Sequence, residues 1–142
     1  MILATVDREA SSERTLKEAA ALADAFDDEV HVLHVLTRSD FVDLEWTSVD
    51  ETGGSLSIDE VKSVAKEIAQ EAIDEAGIEA ESVGRMGDPK DSILKYASDN
   101  DARYIVVGTR KRSPTGKALF GSVSQSVLLN AAVPVVTTRR ER

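Results

Sequence analysis

The chain has 142 residues, a formal charge of −9 and no cysteine. That length suits one domain, which buries about 68–70% of the surface of its unfolded chain, and the lack of thiols excludes disulfides, thiol catalysis and cysteine-ligated zinc. Acids outnumber lysines and arginines 26 to 17, which argues against a general nucleic-acid binder and suits either a high-salt cytoplasm, where self-repulsion is screened, or an ordinary acidic protein.

Residues 2–6 (ILATV) read as a short buried strand that delivers Asp7 at its carboxyl end. The strand-like run begins directly after Met1, and no apolar run approaches about 18 residues. The expectation is a cytoplasmic protein with neither signal peptide nor membrane span. Ser11 or Ser12 is placed to cap a helix with Glu13 in its first turn, and Leu16, Ala19, Ala20, Ala23 and Phe26 recur on one helical face up to Asp27-Asp28. Glu29–Leu36 (EVHVLHVL) reads as a second strand. Its His31 and His34 are three apart and so fall on opposite faces, as packed or hydrogen-bonded histidines rather than a shared metal site.

Residues 37–57 show no clear period. They carry Asp40, Asp43, Glu45, Asp50 and Glu51, the only tryptophan, Trp46, and Gly53-Gly54. The stretch reads as a disordered acidic insertion or as a lid, with Trp46 packing on the domain or on a second subunit. Ile58–Ala76 is the longest helical pattern, with a stripe of Val61, Val64, Ala65, Ile68 and Ala72 and a natural stop at Gly77. Ile78–Arg85 alternates in polarity like an edge strand. Gly87 makes a turn, and Asp88, Pro89 and Asp91 start a helix with Ile93, Leu94 and Ala97 inward. Arg103–Val107 is a strand. Leu119, Phe120, Val123, Val127 and Leu128 mark a last helix, Pro134–Thr138 a fifth strand, and 139–142 a frayed basic tail.

Strands that alternate with helices give a parallel sheet covered on both faces by right-handed crossovers. Ligands bind such sheets beyond the carboxyl ends of the strands, where the strand order reverses. Asp7 and Gly108 both directly follow a strand. After Gly108 comes a basic loop with Arg110, Lys111, Arg112 and Lys117 and no acid, then Gly121-Ser122 and a helix. Residues 108–121 thus carry +4, leaving −13 for the remainder of a chain whose total is −9. A strand, a loop with spare N–H groups and a helix start make an anion cradle. Gly108 lets the backbone approach ribose or phosphate. Arg110 and Lys111 neutralise phosphate charge. Gly121, Ser122, Val123 and Ser124 offer free N–H groups and hydroxyl donors at a positive helix end. Asp7 repels phosphate and suits a base amino group or a ribose hydroxyl. The plain alternatives are a turn glycine at Gly108, a helix cap at Ser122, a cap or Arg110 partner at Asp7, and a solvated face for Arg112 and Lys117. The loop holds no carboxylate for a metal or a general base, and Gly116-Lys117-Ala118 lacks the hydroxyl of a P-loop, so efficient phosphate transfer is not expected.

These residues resemble the universal stress proteins, a small α/β nucleotide-binding family. The resemblance covers nearly the whole chain: Asp7 after the first strand, the long segment after the second, Gly87-Asp88-Pro89 through VVGTR, and the ending PVVTT. Its most specific part is the ATP-binding signature Gly, two residues, Gly, nine residues, Gly and Ser or Thr. Gly108, position 111, Gly121 and Ser122 fall at that spacing, with Lys111 in place of the second glycine. A non-glycine residue at positive φ costs about 1–2 kcal/mol, whereas a lysine is itself a phosphate ligand. The resemblance implies a single Rossmann-like domain (adenine nucleotide alpha hydrolase-like) with a five-stranded parallel sheet of order 3-2-1-4-5. It implies ATP, or ADP or AMP, with or without Mg²⁺. It implies that Asp7 holds the adenine end, that Val35 contacts the base through its backbone, and that Thr5 and Val107 line the same pocket. It also implies a homodimer through the edge strand Pro134–Thr138, whose uncovered ladder invites a second copy, a regulatory role in the stress response, and an unidentified protein partner. The alternatives are a dimeric scaffold that binds no nucleotide and a slow ATP hydrolase.

Overall fold

The computed structural model describes residues 1–7, 12–43, 57–109 and 120–139. Five parallel strands form one sheet: β1 (Ile2–Thr5), β2 (Val30–Leu36), β3 (Glu81–Met86), β4 (Tyr104–Gly108) and β5 (Val135–Thr138), in the order β3-β2-β1-β4-β5. Four helices cover it: α1 (Glu13–Phe26), α2 (Ile58–Ala76), α3 (Pro89–Asp99) and α4 (Ser122–Asn130). The expected order is thus observed, with β3 and β5 at the edges and β1 beside β4 at the reversal. The ladder runs Ile2 to Tyr104, Leu3 to Ile105 and Ala4 to Val106.

Alternation along the strands divides the core into two layers. On one side, Ile2, Ala4, Val32 and Val106 pack with Leu16, Ala19, Ala69 and Ile73 of α1 and α2. On the other, Leu3, Leu33, Ile105 and Val107 pack with Ile93 and Ala97 of α3 and Val127 of α4. His31 and His34 lie on opposite faces of β2: His31 Nδ1 is 2.6 Å from Tyr96 Oη, and His34 Nδ1 donates to the carbonyl oxygen of Val6 at 2.9 Å.

Several boundaries differ from expectation. The first strand ends at Thr5 rather than Val6, although the Val6 amide still donates to Leu33 O. The second to fifth all start later than read, at Val30, Glu81, Tyr104 and Val135, and the third and fourth extend one residue further, to Met86 and Gly108. Residues 38–43 are helical rather than loop. Thr37 caps that turn: its amide and hydroxyl donate to Asp40 Oδ2, and the Asp40 amide donates to Thr37 Oγ1, a capping box. Along α2 the fully buried line is Val61, Ala65, Ala69, Ile73 and Ala76, with Val64, Ile68 and Ala72 at its border. Gly84 explains the choice, because a Cβ there would collide with the backbone of Lys62 and Lys66; the helix rests directly on β3. On α1, Phe26 is exposed at the end of the apolar face, under the Arg103 guanidinium at 4.6 Å and beside Tyr104. On α3, Leu94 is half-buried and Tyr96 takes the inward position. The last helix starts only at Ser122, so the exposed Phe120 precedes it; within it Val127 is buried and Leu128 exposed. Two terminal signals are as read: Gly77 closes α2 at φ 68°, and Asp88 accepts from the amides of Lys90 and Asp91 ahead of Pro89; Ser12 stands at the N-cap of α1 but makes no side-chain cap hydrogen bond. Ser11, Trp46, Gly53-Gly54, the loop Arg110–Leu119 and residues 140–142 lie outside the described residues.

Candidate functional site

In a parallel sheet with helical crossovers, the strands' carboxyl ends and the following helix starts share one edge. A cavity of about 480 Å³ opens at that edge, over the β1–β4 reversal. Thr5, Asp7, Val35, Gly108, Gly121, Ser122, Val123 and Ser124, eight residues singled out from the sequence, line it. Val107 does not line it. Its side chain is 1% exposed, packed in the core layer of Leu33, Val35 and Val127 beneath the cavity's apolar wall. Arg110 and Lys111 lie outside the described residues.

Two of the lining residues also have partners within the protein. Ser124 spends its one hydroxyl proton on the carbonyl oxygen of Gly108, at 3.0 Å, so that proton is not offered to a ligand. The bond fastens the start of α4 to the end of β4. Gly108 is closely packed: a Cβ there would lie 3.1 Å from Thr15 Oγ1, so that side chain would have to give by a few tenths of an ångström. Its missing side chain makes room for α1.

The structure adds residues that the sequence did not assign to the site. Thr37, Asp40 and Asp43 reach the cavity from the turn after β2. Asp40 was legible through the Thr-x-x-Asp capping signature, and Asp43 follows it on the same turn. His34 also lines the cavity; its Nδ1 is spent on Val6, and among the described residues its buried Nε2 has no hydrogen-bond partner. Arg14 and Arg139 line it from the first turn of α1 and the end of β5. These two are neighbours only in the fold. The site is thus polar and two-signed: Asp7, Asp40 and Asp43 bring carboxylates, while Arg14, Arg139 and the free amides at the start of α4 bring positive potential. Such a cavity suits a ligand with a hydrogen-bonding, apolar-faced end and an anionic end. Leu33, Val35 and Ile93 supply the apolar wall.

The universal stress protein family model matches residues 1–139. Universal stress protein YxiE of Bacillus subtilis is 29% identical over 146 aligned positions, covering 97% of each chain. The structure of a universal stress protein from Archaeoglobus fulgidus is 33% identical, covers 96% of both chains and superposes with a TM-score of 0.62. Another from the same organism, solved in complex with dAMP, is 28% identical, with 96% and 94% coverage and a TM-score of 0.58.

Proposed function

The chain belongs to the universal stress protein family, and from that membership we propose that it is an adenine-nucleotide-binding regulatory protein of the stress response, without efficient catalysis. The carrying observation is the single cavity at the β1–β4 reversal, which gathers Asp7, Gly108, Gly121 and Ser122 from distant parts of the sequence. The dAMP complex of the Archaeoglobus relative supports the ligand class. Asp7 accepts hydrogen bonds from the base or ribose, and Thr5 and Val35 flank that end. Gly121, Ser122, Val123 and Ser124 present their amides to phosphate at the start of α4. Arg110 and Lys111 add positive charge, Lys111 doing so where the family has glycine. ATP is the proposed ligand, with Mg²⁺ as its companion.

The test is mass spectrometry of small molecules released from the denatured protein, together with melting curves with and without Mg-ATP. At 100 times Kd a specific ligand stabilises by about 2.7 kcal/mol. A co-purified adenine nucleotide, with a Tm shift abolished in Asp7→Ala and Gly121→Val, is the expected result. No nucleotide and no shift at millimolar ATP would leave a ligand-free dimeric scaffold as the reading.

The proposed homodimer pairs the β5 edges, since β5 has a neighbour on one side only. Leu128 and Leu129 of α4 add exposed apolar surface, Leu129 being 74% exposed. A monomer in sedimentation at micromolar concentration would rule that assembly out.

A further inference from the structure

Among the described residues, Arg14 and Arg139 are the only arginines or lysines that line the cavity. They come from opposite ends of the sequence and are brought together by the residues beside them. Thr15 Oγ1 and Thr138 Oγ1 are 2.7 Å apart and buried, which locks the first turn of α1 against the end of β5. Arg14 precedes one threonine and Arg139 follows the other. Both arginines are exposed, and among the described residues no salt bridge holds either. Arg14 and Arg139 thus bring two positive charges to one cavity, where they attract an anion.

We infer that Arg14 and Arg139 form a guanidinium clamp for the terminal phosphates of the ligand, so that the site takes a nucleoside triphosphate in preference to a monophosphate or a nucleoside. This rests on the nucleotide reading above. The amides at the start of α4, which packs on one face of the sheet, and Arg14 of α1, which packs on the other, line the same cavity, with Arg139 at the end of β5. A phosphate chain therefore has cationic or N–H partners on both sides of the end of β4. The carboxylates of Asp7, Asp40 and Asp43 repel it from the remaining wall, which fixes the direction in which the ligand lies. Guanidinium suits the task because its planar fork donates two parallel bonds to phosphate oxygens.

The test is calorimetric titration of the wild type, Arg14→Gln, Arg139→Gln and the double variant with ATP, AMP, adenosine and inorganic tripolyphosphate. Each single change is expected to weaken ATP binding about ten-fold, the size of one lost charge-assisted contact, and to leave adenosine affinity as it was. The double variant is expected to lose tripolyphosphate binding altogether and to show a shallower salt dependence for ATP. Unchanged adenosine affinity also shows that the variants are folded. Equal ATP affinity in the wild type and the double variant would overturn the clamp and leave the nucleotide reading standing. Tripolyphosphate binding that depends on both arginines, with no binding of ATP, AMP or adenosine, would uphold the clamp and overturn the nucleotide reading. A wild type that binds neither ATP nor tripolyphosphate would overturn the clamp as well.

Discussion

Thr15 and Thr138, 123 residues apart in sequence, meet hydroxyl to hydroxyl at 2.7 Å in the buried layer beside Gly108. The contact joins α1 to β5, and Thr138 is held further by its carbonyl oxygen, which accepts from the amide and hydroxyl of Thr109. Thr15→Val keeps the volume but strands the Thr138 hydroxyl, at a cost of about 1–3 kcal/mol. Thr138→Val does the same from the other side. The double variant removes both polar groups and is expected to cost clearly less than the sum of the singles. Urea denaturation of the four proteins measures this, and strict additivity would show that the two hydroxyls do not depend on each other.

Gly84 and Gly77 give contrasting predictions. Gly84 faces helix backbone on β3, and both groups that a Cβ would strike, Lys62 O and Lys66 N, belong to α2's main chain. Neither can swing away as a side chain would. Gly84→Ala is expected to destabilise by more than about 3 kcal/mol, or to prevent folding. Gly77 closes α2 at φ 68° with open space around it, so Gly77→Ala meets only backbone strain of about 1 kcal/mol. A Gly84→Ala protein as stable as Gly77→Ala would mean that α2 does not rest on β3 as described.

The contrast also shows which features were legible. Gly77, Asp88-Pro89 and the strand runs are local signals, each decided by its own backbone chemistry, and they were readable in the sequence. The inward line of α2 was not, because two overlapping apolar stripes fit the pattern and the contact at Gly84 decides between them. The short helix after β2 was signalled by Thr37 and Asp40 but lay inside a stretch without periodicity. On the site, Asp7, Gly121 and Ser122 announced themselves by following a strand or opening a helix. Arg14 and Arg139 did not, since only the Thr15–Thr138 contact makes them neighbours. The contacts of Ser124 with Gly108 and of Gly108 with Thr15 were not legible, because partners across the sheet edge leave no local trace.

Asp28 predicts a fall in stability at acid pH. Its Oδ1 accepts from the Glu29 amide at 2.9 Å, and its Oδ2 lies 3.1 Å from the Met1 amino group and 3.3 Å from Arg103 Nε. The Glu29 amide bond, then the Met1 and Arg103 contacts, hold its pKa below the ordinary value of 3.8. The folded state therefore favours the carboxylate. The stabilisation is complete above the unfolded value and is withdrawn as the pH falls through 3.8 towards the lower folded pKa. Asp28→Asn is expected to flatten this part of the stability profile. Identical acid limbs for the wild type and the variant would refute the assignment.

The last prediction concerns the other end of the pH scale. His31 Nε2 lies 3.0 Å from Glu29 Oε1 and 3.1 Å from Glu81 Oε2. Carboxylates only accept, so this nitrogen carries a proton, and in the neutral ring Nδ1 then needs a donor. Tyr96 Oη, 2.6 Å away, is that donor. Burial, chiefly, and the neighbouring Glu81 raise the Tyr96 pKa above 10.0, with Arg85 opposing and Glu29 adding to the shift. The folded state thus prefers the protonated phenol. Its contribution is complete below 10.0 and is lost as the pH climbs from there through the higher folded value. Tyr96 and Tyr104 are the only two tyrosines, so ultraviolet titration of phenolate in a Tyr104→Phe background reads Tyr96 alone. Its midpoint is expected above 10.0, and Tyr96→Phe is expected to cost about 1–3 kcal/mol by leaving His31 Nδ1 without its donor. A folded protein whose Tyr96 ionises at or below 10.0 would mean that the phenol does not serve this histidine.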